Sequence, residues 1–331
     1  DANYYDSRTT DQLIAPRVSQ ATGFILQYIN GGVVTNKGVE ISLSGTPVRT
    51  ASGFNWDVLA NFYHNTNNVE SLPAPLTVVY QSDTFITNVH EGGAFPGRPI
   101  SGIASTDYAR VNDPSSPYNG QPIISATTGF PTFTSATALQ YAGNRAPRFT
   151  TQVTNTFTYK GLVFTSLLDF RVGGVVVNGN DLYQTGVGTA PRTLDRYKTV
   201  VFDGVVASKD AAGNTVYTPN TRPTELTQSY YTTVLSNIGT AFIEDGSWAR
   251  LRYVTLSYAL PTRWLGGASS FLKSLELSVT GRNLLLLTHY TGADPETATS
   301  GAGVRGGGSG GIDYGNIPAT RGVDMGLRVN F

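Results

Sequence analysis

Residues 149–171 read Phe149-Thr150-Thr151-Gln152-Val153-Thr154-Asn155-Thr156-Phe157-Thr158-Tyr159-Lys160-Gly161-Leu162-Val163-Phe164-Thr165-Ser166-Leu167-Leu168-Asp169-Phe170-Arg171. Phe149, Val153, Phe157 and Tyr159 fall on one face of an extended chain, opposite Arg148, Thr150, Gln152, Thr154, Thr156 and Thr158. After a tight turn at Tyr159-Lys160-Gly161, Leu162, Phe164, Leu168 and Phe170 oppose Thr165, Asp169 and Arg171. Alternation of period two over about ten residues marks a two-faced strand, so this stretch predicts an antiparallel hairpin.

The pattern recurs on both sides. Val39, Ile41 and Leu43 alternate with Glu40, Ser42 and Ser44; Phe54, Trp56, Val58, Ala60 and Phe62 alternate with Asn55, Asp57, Asn61 and Tyr63, across a turn expected at Pro47 to Gly53. Val254, Leu256, Tyr258 and Leu260 oppose Thr255 and Ser257 and stop at Pro261, which cannot donate to a ladder. Leu275, Leu277 and Val279 oppose Glu276, Ser278, Thr280 and Arg282, and Met325, Leu327, Val329 and Phe331 oppose Gly326, Arg328 and Asn330. Seven strands are expected, with the end of another at Tyr4-Tyr5.

Connection lengths alternate. Short links fall at 47–53, 160–161 and 261–273, and long, polar, Gly-rich ones at about 6–35, 65–146, 172–246 and 288–320. A transmembrane β-barrel has this asymmetry, with short periplasmic turns and long extracellular loops. Trp56, Phe149, Tyr159, Phe170, Trp248, Tyr258 and Trp264 sit toward segment ends, where interfacial aromatic girdles belong. Glu40, Asp57, Asp169, Arg171, Glu276 and Arg282 are the candidate lumen-facing residues, since charge is tolerable in a wet lumen and costly in a dry sandwich core.

Composition agrees. Charged residues make up 14% and sum to a net charge of zero, which argues against a nucleic-acid partner. The absence of cysteine excludes disulfides and Cys-ligated metal. No run of about 18 apolar residues predicts a membrane helix, and a mean hydropathy of −0.13 does not exclude spanning strands, which need only every second residue apolar. Asp1 to Tyr5 carries no signal core.

Sites of chemistry are few. Gly307-Gly308-Ser309-Gly310-Gly311 matches the G-x-S-x-G pattern of serine hydrolases but lacks the strand and helix it requires, so the Gly301 to Gly311 tract reads as a loop. His64, His90 and His289 have no ligand spacing and read as surface histidines, so no metal or cofactor is expected. Asp294-Pro295-Glu296 could suggest paired carboxylates for acid–base work, but the Pro between them, and the resemblance described next, favour a structural loop. Loop aromatics Tyr80, Phe85, Tyr108, Tyr118, Tyr183, Tyr230, Tyr231 and Tyr290 are suited either to stack on sugars or pack on a partner, or to pack on one another.

Several stretches together resemble the SusC-like (SusC/RagA) TonB-dependent transporters of Bacteroidetes outer membranes. They are Asn36-Lys37-Gly38-Val39-Glu40-Ile41, Arg148-Phe149 running to Tyr159-Lys160-Gly161, Phe242 to Ser247, Arg250-Leu251-Arg252 to Tyr258 and Pro261, Thr280 to Leu284, Tyr290 to Glu296, and Asp313-Tyr314-Gly315 with Pro318 and the final strand. An acidic DxNxDG-type loop found in many members ahead of the strand near Pro147 is missing. The resemblance implies an all-β fold, an antiparallel barrel of about 22 strands, of which residues 1–331 are expected to supply roughly the last eight, without the plug domain. It implies a non-enzymatic importer of a bulky nutrient, a glycan or peptide fragment. Its partners would be the remainder of the barrel and plug, a SusD-like surface lipoprotein, the TonB complex and the lipid bilayer. Met325, Leu327, Val329 and Phe331 look like the terminal assembly signal of such barrels. The rival classes are a secreted all-β glycan-binding or adhesin module and an outer-membrane barrel enzyme.

Overall fold

A computed structural model describes residues 1–24, 26–81, 89–266, 271–296 and 310–331. Its framework is one eight-stranded sheet whose strands lie side by side in chain order. They are β1 Ala2–Thr9, β2 Val33–Arg49, β3 Asn55–Ser71, β4 Phe149–Tyr159, β5 Leu162–Val172, β6 Trp248–Ala259, β7 Ser274–Thr288 and β8 Gly322–Asn330. Every neighbouring pair is antiparallel.

The expected hairpin is present as β4 and β5, with Phe149 level with Val172 and Tyr159 level with Leu162. Lys160 (φ 48°) and Gly161 (φ 85°) both adopt positive φ, the two-residue geometry whose twist matches the flanking strands. Several boundaries differ from the sequence reading. The strand ending at Tyr4-Tyr5 extends to Thr9. Pro47 lies inside β2 rather than in the turn, accommodated by a register shift between Gly45 and Val48, since a bulge frees its residue from donating to the ladder.

β2 and β3 each contain 17 residues, about 55 Å at roughly 3.3 Å per residue. That exceeds the apolar band of about 25 Å on a membrane barrel. Alternation stops after Tyr63, where His64-Asn65-Thr66-Asn67-Asn68 continues the strand, so the excess projects at the long-connection end.

The register gathers side chains onto two faces. Ala60, Val153, Leu168 and Leu251 form one cross-strand row, and Leu256, Val279 and Met325 belong to the same apolar face. Toward the short turns Trp56, Phe157 and Phe164 lie side by side, with centroids 5.8 and 5.9 Å apart. This apolar face is bare: Leu256 is 48% and Met325 84% exposed. The opposite, polar face carries the most buried charges of the sheet, Asp169 at 4% and Arg250 at 3%. A soluble domain reverses this arrangement. Among the described residues no helix is long and apolar enough to cross a membrane, and crossing by strands requires none.

All long connections leave one end of the sheet, and the buried apolar clusters gather there. Val34, Val69, Val79 and Ala94 form one, Leu226, Tyr231, Leu235 and Phe242 a second, and Ile103, Val177 and Ile312 a third. The third spans three connections, with Ile103 from β3–β4, Val177 from β5–β6 and Ile312 from β7–β8, and the short strand Val175–Asn178 pairs with both Ile243–Asp245 and Ile312–Asp313. β1 and β8 each have one neighbour, so the sheet is an open arc.

Candidate functional site on the polar face and its loops

The register puts Glu40, Asp57, Asp169, Arg171, Glu276 and Arg282 on the polar face. Glu40 is level with Tyr63, Tyr63 with Thr150, Thr150 with Arg171, and Arg171 with Trp248. Arg282 pairs with Asp324 at 2.6 Å, Glu276 lies 3.7 Å from Arg328, and Asp57 accepts a hydrogen bond from the Thr46 hydroxyl. These three positions are open, whereas Asp169 and Arg171 belong to a covered cluster near the loops.

That cluster joins two of the quoted motifs. β6 carries Arg250 and Arg252 on the polar face, because a register shift between Leu251 and Tyr253 turns Arg252 inward as well. Arg252 donates from Nε to Asp169 Oδ2 at 2.8 Å, and from both Nη atoms to Glu296 at 2.6 Å. Arg250 Nη2 donates to Asp294 Oδ1 at 2.6 Å. Asp294 also accepts from the N–H groups of Glu296 (3.0 Å) and Ala319 (3.2 Å). Both guanidinium groups lie over the Trp248 ring, 5.6 and 4.9 Å from its centroid. Asp294 and Glu296 are therefore the anchors that hold the β7–β8 connection to the wall. Each carboxylate is taken up by an arginine of β6, the arrangement of a structural anchor.

A second network ties that connection to the β5–β6 one. Glu244 accepts from Asn178 Nδ2 (2.8 Å) and from the N–H and hydroxyl of Thr291 (both 2.7 Å). The Tyr290 hydroxyl donates to Asp313 Oδ2 at 2.7 Å, and Asn180 Nδ2 donates to its other oxygen at 3.1 Å. Burial pushes the Asp313 carboxyl above the usual range, and burial together with the bond to Asp313 pushes the Tyr290 phenol up. Burial also raises Asp181, against the pull of Arg192, its ion-pair partner.

The other loop tyrosines divide. Tyr231 and Tyr290 are buried. Tyr230 packs on Phe130, Phe202 and Tyr231 and is pushed up to about 12 by burial. Tyr108 is half-buried beside Arg110. Tyr183 is exposed, edge-on to Tyr314. Phe85 and residues 301–309 of the Gly-rich tract lie outside the described residues.

One expectation is overturned. His90 is fully buried rather than at the surface, with Nε2 bonded to the Gly239 carbonyl at 2.7 Å, and burial lowers its pKa to about 4. Its neighbour Glu91 is also fully buried and meets Arg17 of the β1–β2 connection at 2.6 Å. Among the described residues no group of three or more His, Cys, Asp or Glu is placed to hold a metal.

An open antiparallel arc with a bare apolar face, a polar face carrying ion pairs and all long connections at one end is a section of an outer-membrane β-barrel wall. The comparisons give its kind. The chain is 28% identical to TonB-dependent receptor P3 of Formosa agariphila, over 99% of this chain and 32% of that protein. It is 28% identical to receptor P26 of the same organism, over 100% and 32%. Its fold matches a chain of the RagAB peptide importer in the closed-closed state, with TM-score 0.70 and 19% identity over 100% of this chain and 33% of that one. The open-open state gives a TM-score of 0.64 at 20% identity. No protein-family profile matches the chain. The chain is thus similar over its whole length to TonB-dependent receptors, has the fold of an outer-membrane barrel wall section, and spans about a third of the length of the relatives it matches.

Proposed function

We propose that this chain forms part of a transporter that imports a bulky nutrient, a glycan or peptide fragment, across the outer membrane with energy from the TonB complex. The observation that carries the reading is the one-ended loop assembly: four long connections, folded around their own apolar clusters and fastened to the polar face by Arg250 and Arg252. Such an assembly offers an outward surface for cargo and for a SusD-like lipoprotein acting as a lid. The RagAB importer, whose fold the chain shares, is a peptide transporter.

In this reading the polar face is the lumen wall, and Glu40, Asp57, Asp169, Arg171, Glu276 and Arg282 line it. Open Glu40, Asp57, Glu276 and Arg282 hydrate the passage, while Asp169 and Arg171 brace the loop junction. Of these five candidate loop tyrosines, Tyr108 and Tyr183 are left to meet cargo or lid, since Tyr230, Tyr231 and Tyr290 pack within the loops. The rest of the barrel and a plug supply the wall beyond β1 and β8. The chain carries no chemistry of its own. Met325, Leu327, Val329 and Phe331 form the assembly signal, on an edge strand whose apolar face is bare.

The test uses the intact protein in its native membrane. Deleting it, or the TonB system, should abolish uptake of the same nutrient, and detergent extraction should bring out a lipoprotein bound to it. Purification of the intact protein as a soluble monomer without detergent would refute the reading.

A further inference from the structure

The β5–β6 connection encloses a cavity of about 320 Å³ that none of the networks above uses, lined among others by Thr185, Arg196, Tyr197, Gln228 and Thr232. Three independent features single it out. Tyr197 is a non-glycine residue at φ 68°, a left-handed conformation that penalises an L-residue and clusters at functional sites. It is held there because its N–H donates to the Leu226 carbonyl at 3.0 Å and the Leu226 N–H donates to the Lys198 carbonyl at 2.8 Å. The residue is nevertheless 72% exposed, so ring burial does not offset the strain.

Arg196 is the second feature. Among the described residues its guanidinium has no acidic partner, because Lys198 takes neighbouring Asp195 and Arg192 takes Asp181. The group lies beside Gly188, which ends the helix Gly179–Val187. A cation there ordinarily serves the last carbonyls of the helix. Here the carbonyls of Gln184 and Thr185 already accept from the N–H groups of Gly188, Thr189 and Ala190, which leaves the charge available. Thr185 is the third: it is fully buried, and its hydroxyl has no hydrogen-bond partner among the described residues.

We propose that this cavity binds an anionic sugar ring, its carboxylate or sulfate on Arg196, its face on Tyr197, and its hydroxyls toward Gln228 and Thr232. The volume lies at the small end of ligand sites, suited to one ring of an oligosaccharide rather than to a folded chain. Backbone pairing with a strand edge, one way in which peptides are bound, is not offered here, since no lining residue belongs to a strand. The proposal rests on the reading of the long-connection end as facing cargo.

The test is calorimetric titration of the intact protein in detergent with trigalacturonate, a sulfated disaccharide, maltotriose and hexaglutamate. The carboxylated and sulfated sugars distinguish which anion is taken. At least one should bind, with affinity falling as salt screens the charge, and maltotriose should bind more weakly. Arg196→Gln should weaken that binding by about tenfold or more, the scale of a charge-assisted hydrogen bond. Tyr197→Gly, which relieves the backbone strain, should stabilise the loops yet weaken sugar binding. Equal affinity of Arg196→Gln and the parent, no binding of either anionic sugar, or a preference for hexaglutamate overturns the proposal. Membrane insertion and TonB-dependent uptake are measured in the same strains. If insertion or TonB dependence fails, the transport reading is refuted; if both hold and Arg196→Gln binds like the parent, only the sugar site is.

Discussion

Replacing Asp294 with Asn tests whether the junction between loops and wall is an electrostatic fastening. Asp294 and Arg250 are 7% and 3% exposed at the side chain and 2.6 Å apart. Removing one charge of a buried pair leaves the other uncompensated, which costs about 3–5 kcal/mol. Asn still accepts hydrogen bonds, so the lower end, about 3 kcal/mol, is expected. At about 1.36 kcal/mol per decade, the segment should open roughly 150 times more often. Hydrogen exchange on the intact protein in detergent reads this at the amides of Thr291, Glu296 and Ala319, while the β4–β5 hairpin stays unchanged. Glu296→Gln is the control. Glu296 is 37% exposed at the side chain, water replaces what is lost, and the change should stay within about 1 kcal/mol. An Arg250→Met, Asp294→Leu double variant should recover most of the protection, since a well-packed apolar pair can replace a buried ion pair. Equal exchange in Asp294→Asn and the parent would refute the reasoning.

His90 predicts a pH dependence. Burial lowers it from 6.5 to about 4, so the unfolded loops bind its proton more readily than the folded ones. Its contribution is complete above pH 6.5 and is lost as pH falls toward 4, by about 3 kcal/mol in all; urea melts at pH 7 and 4.5 should show the loss in the parent and a flatter profile in His90→Gln. Tyr290→Phe removes the bond to Asp313 and should lower loop stability by about 1–3 kcal/mol, read by limited proteolysis. Leu256→Arg on the apolar face should cost about 2–4 kcal/mol in lipid and reduce the folded barrel seen by heat-modified gel mobility, whereas neighbouring Thr255→Arg should assemble normally.

The wall was legible because two solvents impose period two on every strand between them. Phe149 to Arg171 shows both faces and their turn in one reading. The outer halves of β2 and β3 were not legible, because beyond the bilayer water touches both faces and Asn65 to Asn68 has no reason to alternate. The Arg250 to Asp294 pair is 44 residues apart in sequence and meets only after the β7–β8 connection folds back on the wall. Both motifs could be quoted, but their contact lay in the third dimension. His90-Glu91-Gly92-Gly93 reads as a polar loop, and its burial comes from residues near Arg17 and Gly239 that nothing local announces. Tyr197 left no sequence signal either, since a left-handed backbone at tyrosine is imposed by the bonds around it.

The separation of buried clusters from the bare wall divides how the protein can drift. On the apolar face a position needs only to be greasy, since lipid tails adapt to any outline, and Leu, Val, Met or Phe serve alike. Around Phe242, Ile103 or Val69 the neighbours are fixed side chains, and each exchange must respect a shape. Two copies of this gene separated for long enough should therefore scramble their membrane surfaces freely while inheriting the interiors of their loops nearly intact.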